Sequence, residues 1–166
     1  PRAEEVFNEM KEAGVKPGVR AYTGLLACYA VEGRWESVDT CLEAMRQVGV
    51  EPNFETYVVL LNACSKSRDL SRAEAFVANA ARGGVLTTLH LNLVLKVCAS
   101  AKEIESAEKW FRRMKEIYGL NANIVSYNTM LDIYAQAGRL AAARATMERI
   151  VQSDLSPDVV SYATLV

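Results

Sequence analysis

An eight-residue pattern that occurs twice constrains this chain more than any other feature. Residues 124–131 (IVSYNTML) and residues 159–166 (VVSYATLV) share it, and their first residues are 35 positions apart. Proline follows the same interval, since Pro52 lies 35 positions after Pro17 and Pro157 lies at a multiple of that distance. A fixed period of this length indicates a tandem array of one supersecondary unit. We expect the chain to begin and end inside copies of that unit, and therefore to be part of a longer array.

Each copy contains two apolar stripes at helical spacing. In the first complete copy the leading stripe is Tyr22, Leu25, Leu26 and Tyr29, and the trailing stripe is Trp35, Val38, Leu42 and Met45. The i, i+3, i+4, i+7 spacing predicts two amphipathic helices, and Gly33 between them predicts a tight turn. One αα-hairpin cannot bury both stripes, so neighbouring hairpins must stack. The predicted fold class is therefore all-α: a right-handed superhelical solenoid of antiparallel helix-turn-helix (αα-hairpin) repeats.

The period divides the chain into consecutive pieces of one solenoid. We predict the C-terminal part of a repeat at 1–18, complete repeats at 19–53, 54–87, 88–123 and 124–158, and the start of a further repeat at 159–166. Repeat 54–87 is degenerate and one residue short, and repeat 88–123 is one residue long, with the extra residue expected near 116–118. The last residue of the short repeat is left open between Thr87 and Thr88.

The charge balance gives no direct sign of a nucleic-acid or membrane partner. Lys and Arg total 19 and Asp and Glu total 20, a formal net charge of −1, whereas a strongly basic total would favour polyanions. No apolar run approaches the roughly 18 residues that a membrane-spanning helix needs, so we expect no membrane insertion. The opening residues do not resemble a signal or transit peptide.

The reactive residues are too few and too scattered for a catalytic or metal site. Cys28, Cys41, Cys64 and Cys98 include no C-x-x-C pair, and His90 is the only histidine. We expect Cys28, Cys64 and Cys98 to be buried thiols on a helix face, and His90 to be exposed near a helix start. With no nucleophile beside a base and no phosphate-binding glycine loop, we expect no enzyme activity, cofactor, metal or small-molecule substrate.

Several short motifs resemble the pentatricopeptide repeat family, in its pure 35-residue class (P-type). They are YNTML at 127–131, AGRL at 137–140, PD at 157–158, FNEM at 7–10 and GVKP at 14–17. The leading helices lack the W-x2-L-G-x2-Y signature of tetratricopeptide repeats, another helical-hairpin family. The resemblance covers the whole chain. It implies that single-stranded RNA binds along the first helices on the concave surface, with about one base per repeat.

In this family the fifth and the last residue of a unit read the base, and the second residue stacks beside it. Carried over to this chain, the resemblance gives the pairs Thr23 with Asn53, Val58 with Thr87 or Thr88, Asn92 with Asn123, and Asn128 with Asp158. It implies adenine for the first pair, no defined base for the second, cytosine or uracil for the third and uracil for the fourth. The implied stacking residues are Leu89, Val125 and Val160, whereas Arg20 and Glu55 hold the second position of the first two repeats.

Elementary chemistry supports the fourth pair most directly. Uracil presents an N3–H donor, for which the Asp158 carboxylate is an acceptor, whereas the Asn123 amide also donates and so suits cytosine. Val58 has no polar atom, so its repeat is expected to tolerate several bases or to act as a spacer. Each polar residue also has a simpler role: Asn92 and Asn128 could face solvent, and Asp158 could cap the helix that follows it.

Two functions remain compatible with these residues. The favoured one is a single-stranded RNA-binding module of an organellar factor in RNA processing, stability or translation. The alternative is a degenerate array that binds protein, as a scaffold subunit of a large organellar complex; Glu55, Val58 and the nearly neutral net charge favour it. The resemblance alone implies a mitochondrion or chloroplast and does not choose between them.

Overall fold

The computed structural model describes residues 2–164, and these residues form ten α-helices without any β-strand. In chain order they are α1 (Arg2–Glu12), α2 (Val19–Val31), α3 (Trp35–Gln47), α4 (Phe54–Ser67), α5 (Leu70–Arg82), α6 (Thr88–Ala101), α7 (Ile104–Glu116), α8 (Ile124–Gln136), α9 (Leu140–Gln152) and α10 (Val159–Ala163). Four helical hairpins pair α2 with α3, α4 with α5, α6 with α7 and α8 with α9. The predicted fold class is confirmed, because these hairpins stack into an all-α solenoid.

The first helices of the hairpins form one continuous row. Helix α2 packs against α4, α4 against α6, α6 against α8, and α8 against α10. Long polar side chains connect the second helices. The Arg72 guanidinium on α5 donates to the Asp39 carboxylate on α3 at 3.1 Å, and the Trp110 indole N–H on α7 donates to Glu74 on α5 at 2.9 Å. Because the first helices approach each other more closely than the second helices do, we infer that the stack curves with the row of first helices on its inner side.

One leucine of every first helix lies at the centre of this row. At the eighth position of α2, α4, α6 and α8 this leucine is fully buried; the four residues are Leu26, Leu61, Leu95 and Leu131. The second helices contribute fully buried alanines, namely Ala73, Ala107 and Ala143. Small side chains at such positions allow the two helices of a hairpin to approach closely, since the interaxial distance depends on the residues at the contact.

The turn inside each hairpin needs one residue in the left-handed backbone region. Gly33 (φ 71°) and Gly138 (φ 67°) meet this need in the first and last hairpins, whereas Arg68 (φ 58°) and Lys102 (φ 61°) take the same place in the middle two. A residue with a Cβ costs about 1–2 kcal/mol in this region. Helix packing therefore imposes the turn even where the sequence carries no glycine.

The turn after α7 contains one residue more than the others. The amide of Val50 donates to the carbonyl of Met45, whereas the amide of Leu120 donates to the carbonyl of Met114, one position further back, at 2.8 Å. The chain accommodates the additional residue in this loop, which begins directly after Glu116 and includes residues 117 and 118.

Cys28 is exposed, so the prediction of three buried thiols is wrong at this position. Cys64 and Cys98 are buried, and burial raises the pKa of each thiol to about 12. Cys28 stands one place earlier in its repeat than those two, at the position that Ala63 holds in α4, where Ala63 is buried. Within the described residues α2 is the first member of the row, so no first helix precedes it.

His90 is fully buried, so the prediction of an exposed histidine is wrong. It is the third residue of α6, and its ring lies edge-on to the ring of Phe54, with centroids 4.8 Å apart. The backbone N–H of Thr87 donates to Nδ1 at 3.1 Å, so Nε2 carries the proton and donates to the Phe54 carbonyl at 3.1 Å. The neutral imidazole therefore satisfies both of its ring nitrogens.

Truncation of a central leucine is expected to destabilise the array. Leu131→Ala should lower the free energy of unfolding by about 2–5 kcal/mol, because Leu131 is fully buried in a cluster with Ala143 and Ile150 and its loss leaves a cavity. Leu140→Ala is the matched control, since Leu140 is 63% exposed. Urea denaturation followed by circular dichroism measures both variants. Equal losses would contradict the place of Leu131 in the core.

The buried histidine is expected to make stability depend on pH. Burial lowers the pKa of His90 below its ordinary value of 6.5, and the bond to the Phe54 carbonyl opposes this shift only in part. The unfolded chain therefore binds the proton more readily, and the folded state loses stability as the pH falls below about 6.5.

The variant His90→Thr removes the titratable imidazole and so isolates the contribution of His90 to the pH dependence of stability. Threonine is a suitable replacement because Thr56 holds the same position in α4. Urea denaturation at about pH 7.5 and about pH 5.5 should show a smaller loss of unfolding free energy on acidification for the variant than for the wild type. Losses of the same size in the two proteins would mean that the folded state does not lower the pKa of His90.

Candidate nucleic-acid interface

A polar residue caps four of the first helices. The caps are Asn53, Thr87, Asn123 and Asp158, which precede α4, α6, α8 and α10. The Asn and Asp side chains accept the backbone N–H of the third helical residue, and the cap's own N–H donates back to that residue's side chain. This reciprocal arrangement is a capping box. The simpler role considered for Asp158 is therefore present, and the cap residues coincide with the predicted last members of the base-reading pairs.

The predicted pair of repeat 124–158 is joined by hydrogen bonds across two first helices. Asn128 Nδ2 donates to Asp158 Oδ1 at 2.9 Å, and the Ser161 hydroxyl donates to Asn128 Oδ1 at 2.6 Å. The backbone N–H of Ser161, foremost, and the Asn128 amide hold the pKa of Asp158 below its ordinary value. Asp158 is thus an exposed, ionised carboxylate that can accept further hydrogen bonds.

Repeat 88–123 has the same arrangement with an amide in place of the carboxylate. Asn92 Nδ2 donates to Asn123 Oδ1 at 3.1 Å, and the Ser126 hydroxyl donates to Asn92 Oδ1 at 2.6 Å. The backbone N–H of Ser126 also donates to Asn123 Oδ1, at 3.1 Å. Because Asn123 Oδ1 accepts these bonds, its Nδ2 group turns outward. Asn92 is only 6% exposed while Asn123 is exposed, so the accessible edge of this pair is a donor.

Hydroxyl groups link the predicted pair of repeat 19–53. Thr23 Oγ1 and Thr56 Oγ1 are 2.8 Å apart, and Thr56 Oγ1 lies 3.0 Å from Asn53 Oδ1. The backbone N–H of Thr56 donates to Asn53 Oδ1 at 3.0 Å, so the Nδ2 group of Asn53 again faces outward. When the Thr56 hydroxyl donates to Asn53, Thr23 donates to Thr56 and keeps its own oxygen as an acceptor.

Repeat 54–87 does not form a polar pair. Val58 has no polar atom, and Thr87 directs both its backbone N–H and its hydroxyl towards His90 Nδ1, each at 3.1 Å. Thr87 rather than Thr88 is the residue that precedes α6. His90 occupies the third helical position, which carries a hydroxyl group in α4, α8 and α10.

The predicted stacking residues are exposed apolar side chains in the first turn of the first helices. Leu89 is 44% exposed, Val125 is 52% exposed and Val160 is 56% exposed. Arg20 and Glu55, both exposed, hold the equivalent position earlier in the row. The last two complete repeats therefore offer apolar walls on both sides of their polar pairs, and the first complete repeat offers charged ones.

Three hydroxyl residues that contact these pairs were not predicted in the sequence analysis. They are Thr56, Ser126 and Ser161, each fully buried at the third position of its helix. The sequence pattern that identifies these residues is Asn or Asp followed three residues later by Ser or Thr, a form of the capping box. The pattern occurs at 53–56, 123–126 and 158–161, and it does not occur at 87–90.

Two other kinds of feature are absent from residues 2–164. No group of His, Cys, Asp and Glu in this range is arranged so that it could hold a metal ion. None of the helices described here has the length and apolar character that a membrane crossing requires.

Three family models match separate parts of the chain. A pentatricopeptide repeat domain model matches residues 5–67, a PPR repeat model matches residues 90–117, and a PPR repeat family model matches residues 122–166. Among curated relatives, two chloroplastic pentatricopeptide repeat-containing proteins of Arabidopsis thaliana are 32% and 31% identical over 79% and 90% of this chain. The chain spans 14% and 20% of the length of these two relatives.

Solved structures share the fold. The crystal structure of the pentatricopeptide repeat protein PPR10 from maize matches 98% of this chain and 23% of its own, with a TM-score of 0.83 and 21% identity. PPR10 in complex with an 18-nt psaJ RNA element matches 98% of this chain and 24% of its own, with a TM-score of 0.79 and 21% identity. The PPR domain of Arabidopsis thaliana protein-only RNase P 1, in complex with tRNA, matches 86% of this chain and 75% of its own, with a TM-score of 0.63 and 20% identity. The stacked hairpins, the family models and the curated relatives agree that the chain belongs to the pentatricopeptide repeat family.

Proposed function

We propose that this chain is a single-stranded RNA-binding module in which about one base contacts each hairpin. The observation that supports this most recurs in repeats 19–53, 88–123 and 124–158, at the junction of consecutive first helices. In each, the fifth residue of the repeat and the cap of the next first helix both hydrogen-bond the hydroxyl at the third position of that helix. Exposed apolar side chains flank the last two of these pairs. A series of polar pairs between apolar walls suits unpaired bases, which have flat faces and polar edges.

The pair in repeat 124–158 offers one donor and one acceptor. Asn128 Nδ2 uses one hydrogen for Asp158 and retains a second, while the exposed Asp158 carboxylate accepts. Uracil presents its N3–H donor beside carbonyl oxygens, so its edge is complementary to this combination. Cytosine presents an acceptor at N3, which a carboxylate repels. We therefore assign uracil to this repeat.

The other repeats offer different combinations. The outward Asn123 amide is a donor, so cytosine, with acceptors at N3 and O2, fits repeat 88–123 better than uracil does. In repeat 19–53 the Asn53 amide and the Thr23 oxygen form a donor and an acceptor, which match N1 and the amino group of adenine. Repeat 54–87, with Val58, is assigned as a spacer that selects no base.

Phosphate contacts are expected to contribute little to affinity. Lys96 is exposed on α6 seven positions after Leu89, and therefore on the same side of that helix. Glu55 and Asp132 hold inner-side positions of α4 and α8 and offset this charge. Contacts to the bases would therefore supply a larger share of binding than the salt-dependent phosphate contribution does.

The relatives and structural neighbours support an organellar setting and an RNA partner. Two curated relatives are chloroplastic, and two of the solved structures are complexes with RNA. On this basis we assign the module to an organellar RNA processing, stability or translation factor. The second candidate is a protein-binding scaffold subunit of an organellar complex, which Glu55 and the unpaired Val58 favour.

Asp158→Asn is expected to change the preference of repeat 124–158 from uracil to cytosine. The new amide would adopt the arrangement of Asn123, with its oxygen bonded to Ser161 and its Nδ2 group outward, so that a donor replaces an acceptor. A well-formed edge contact discriminates between bases by about 1–3 kcal/mol. Selection from a randomised pool of single-stranded RNA, followed by sequencing, measures the preference without any assumption about register.

Asp154→Asn is the matched control, because it removes the same charge from an exposed site outside the hydrogen-bonded pair. It should leave uracil preferred. Filter binding of the wild-type chain at low and at moderate salt is measured first. If the chain binds no RNA at low salt, the RNA-binding proposal is rejected in favour of the protein-binding scaffold. A preference for uracil that survives Asp158→Asn would mean that Asp158 does not contact the base.

A further inference from the structure

The hydroxyl group of Ser126 is fully buried between two first helices. It lies 2.6 Å from Asn92 Oδ1 on α6 and 3.1 Å from Asn123 Oδ1 at the cap of α8. Its oxygen also accepts the backbone N–H of Asn123 at 3.1 Å. A serine hydroxyl carries a single proton, and the shorter distance assigns that proton to the bond with Asn92.

This proton determines the direction of the Asn92 amide, which in turn supports the direction of the Asn123 amide. Asn92 presents its carbonyl oxygen to Ser126, so its Nδ2 group points at Asn123 Oδ1, 3.1 Å away. Together with the backbone N–H of Ser126, which donates to Asn123 Oδ1 at 3.1 Å, the Asn92 amide keeps this oxygen inward and the Nδ2 group of Asn123 outward. Rotation of the Asn92 amide by half a turn would bring two carbonyl oxygens together and would point the Ser126 proton at an N–H group, and both contacts are unfavourable in a buried site.

We propose that Ser126 is a positioning residue that sets the base preference of repeat 88–123 through Asn92. The hydroxyl belongs to the following repeat, so the preference of one unit depends on the third residue of the next. Because Asn92 is nearly buried, its main effect is to hold the Asn123 amide in place. This inference rests on the proposed function, since a base preference exists only if RNA binds.

The same arrangement recurs at the junction with α10, and a different one occurs at the junction of α4 and α6. The Ser161 hydroxyl donates to Asn128 Oδ1 at 2.6 Å. At the third position of α6, His90 has no hydroxyl and donates Nε2–H to the Phe54 carbonyl. The fifth residue of the repeat before it is Val58, which has no amide to orient. At each of these junctions, a polar fifth residue and a hydroxyl in the next repeat are thus present or absent together.

Two substitutions at Ser126 separate the hydroxyl from the rest of the side chain. Ser126→Ala removes the proton, whereas Ser126→Thr retains it, and Thr56 holds the same position in α4. Selection from the randomised RNA pool should show that Ser126→Ala lowers the preference for cytosine over uracil in repeat 88–123 by at least about fivefold and that Ser126→Thr restores it. The uracil preference of repeat 124–158 should stay constant in every variant, so a general loss of stability does not produce this result.

The outcomes distinguish this inference from the proposed function. An Ala variant that keeps the wild-type ratio of cytosine to uracil overturns the inference, as does a Thr variant that loses it to the same degree as the Ala variant. A wild-type chain that binds no RNA overturns the proposed function, and the role of Ser126 in base preference falls with it.

NMR relaxation of the side-chain amide groups tests the positioning step without RNA. We expect the Asn92 amide to be rigid in the wild type and in Ser126→Thr, and mobile in Ser126→Ala. A rigid Asn92 amide in Ser126→Ala would overturn the positioning role, whatever the binding assay shows.

A converse experiment builds the arrangement where it is missing. The triple variant Val58→Asn, Thr87→Asn, His90→Ser gives repeat 54–87 the three residue types of the next junction, and the double variant Val58→Asn, Thr87→Asn keeps the histidine. Cytosine selection at this repeat is expected in the triple variant alone. Equal selection by the double variant would show that the hydroxyl is unnecessary and would overturn the inference.

Discussion

A helical hairpin with apolar residues on two faces is stable only when others like it cover those faces, and the rest of this structure depends on that constraint. Every hairpin buries the same leucine position in the row of first helices, from Leu26 to Leu131. The first helices therefore follow one another in a single row. Their first turns recur along one side of the row, so residues at equivalent positions form a series. The candidate interface is a consequence of this packing.

The residue before each first helix serves the fold and the candidate site together. Asn123 and Asp158 use one side-chain oxygen for the N–H groups at the helix start, and that bond holds the rest of the side chain outward. Such a cap contributes about 1 kcal/mol to stability. A side chain that is already fixed loses little conformational entropy when a ligand binds, so capping improves its use in recognition. The capping role of Asp158 is therefore compatible with its proposed role in base recognition and would support it.

The fold class was predictable from the sequence because every copy repeats the same apolar spacing. The burial of His90 was not, because α4, α8 and α10 carry a small hydroxyl residue at that position and the imidazole packs against Phe54, which belongs to the preceding first helix, α4. The prediction for Cys28 failed because Cys28 stands one place earlier in its repeat than Cys64 and Cys98, and because no first helix precedes α2 within the described residues. The hydrogen bond between Ser126 and Asn92 was not predicted, because the two residues lie in different repeats and only the folded structure brings them together.

The central claim is that RNA lies along the row of first helices and contacts the cap residues. NMR of methyl and side-chain amide groups, with the chain titrated with an oligonucleotide from the selected pool, tests this most directly. We predict shift changes at Leu89, Val125 and the Asn123 amide. We predict none at Leu140 and Val151, which lie on the second helix α9 and are more exposed to solvent than Leu89 and Val125. Shift changes confined to Leu140 and Val151 would contradict the claim.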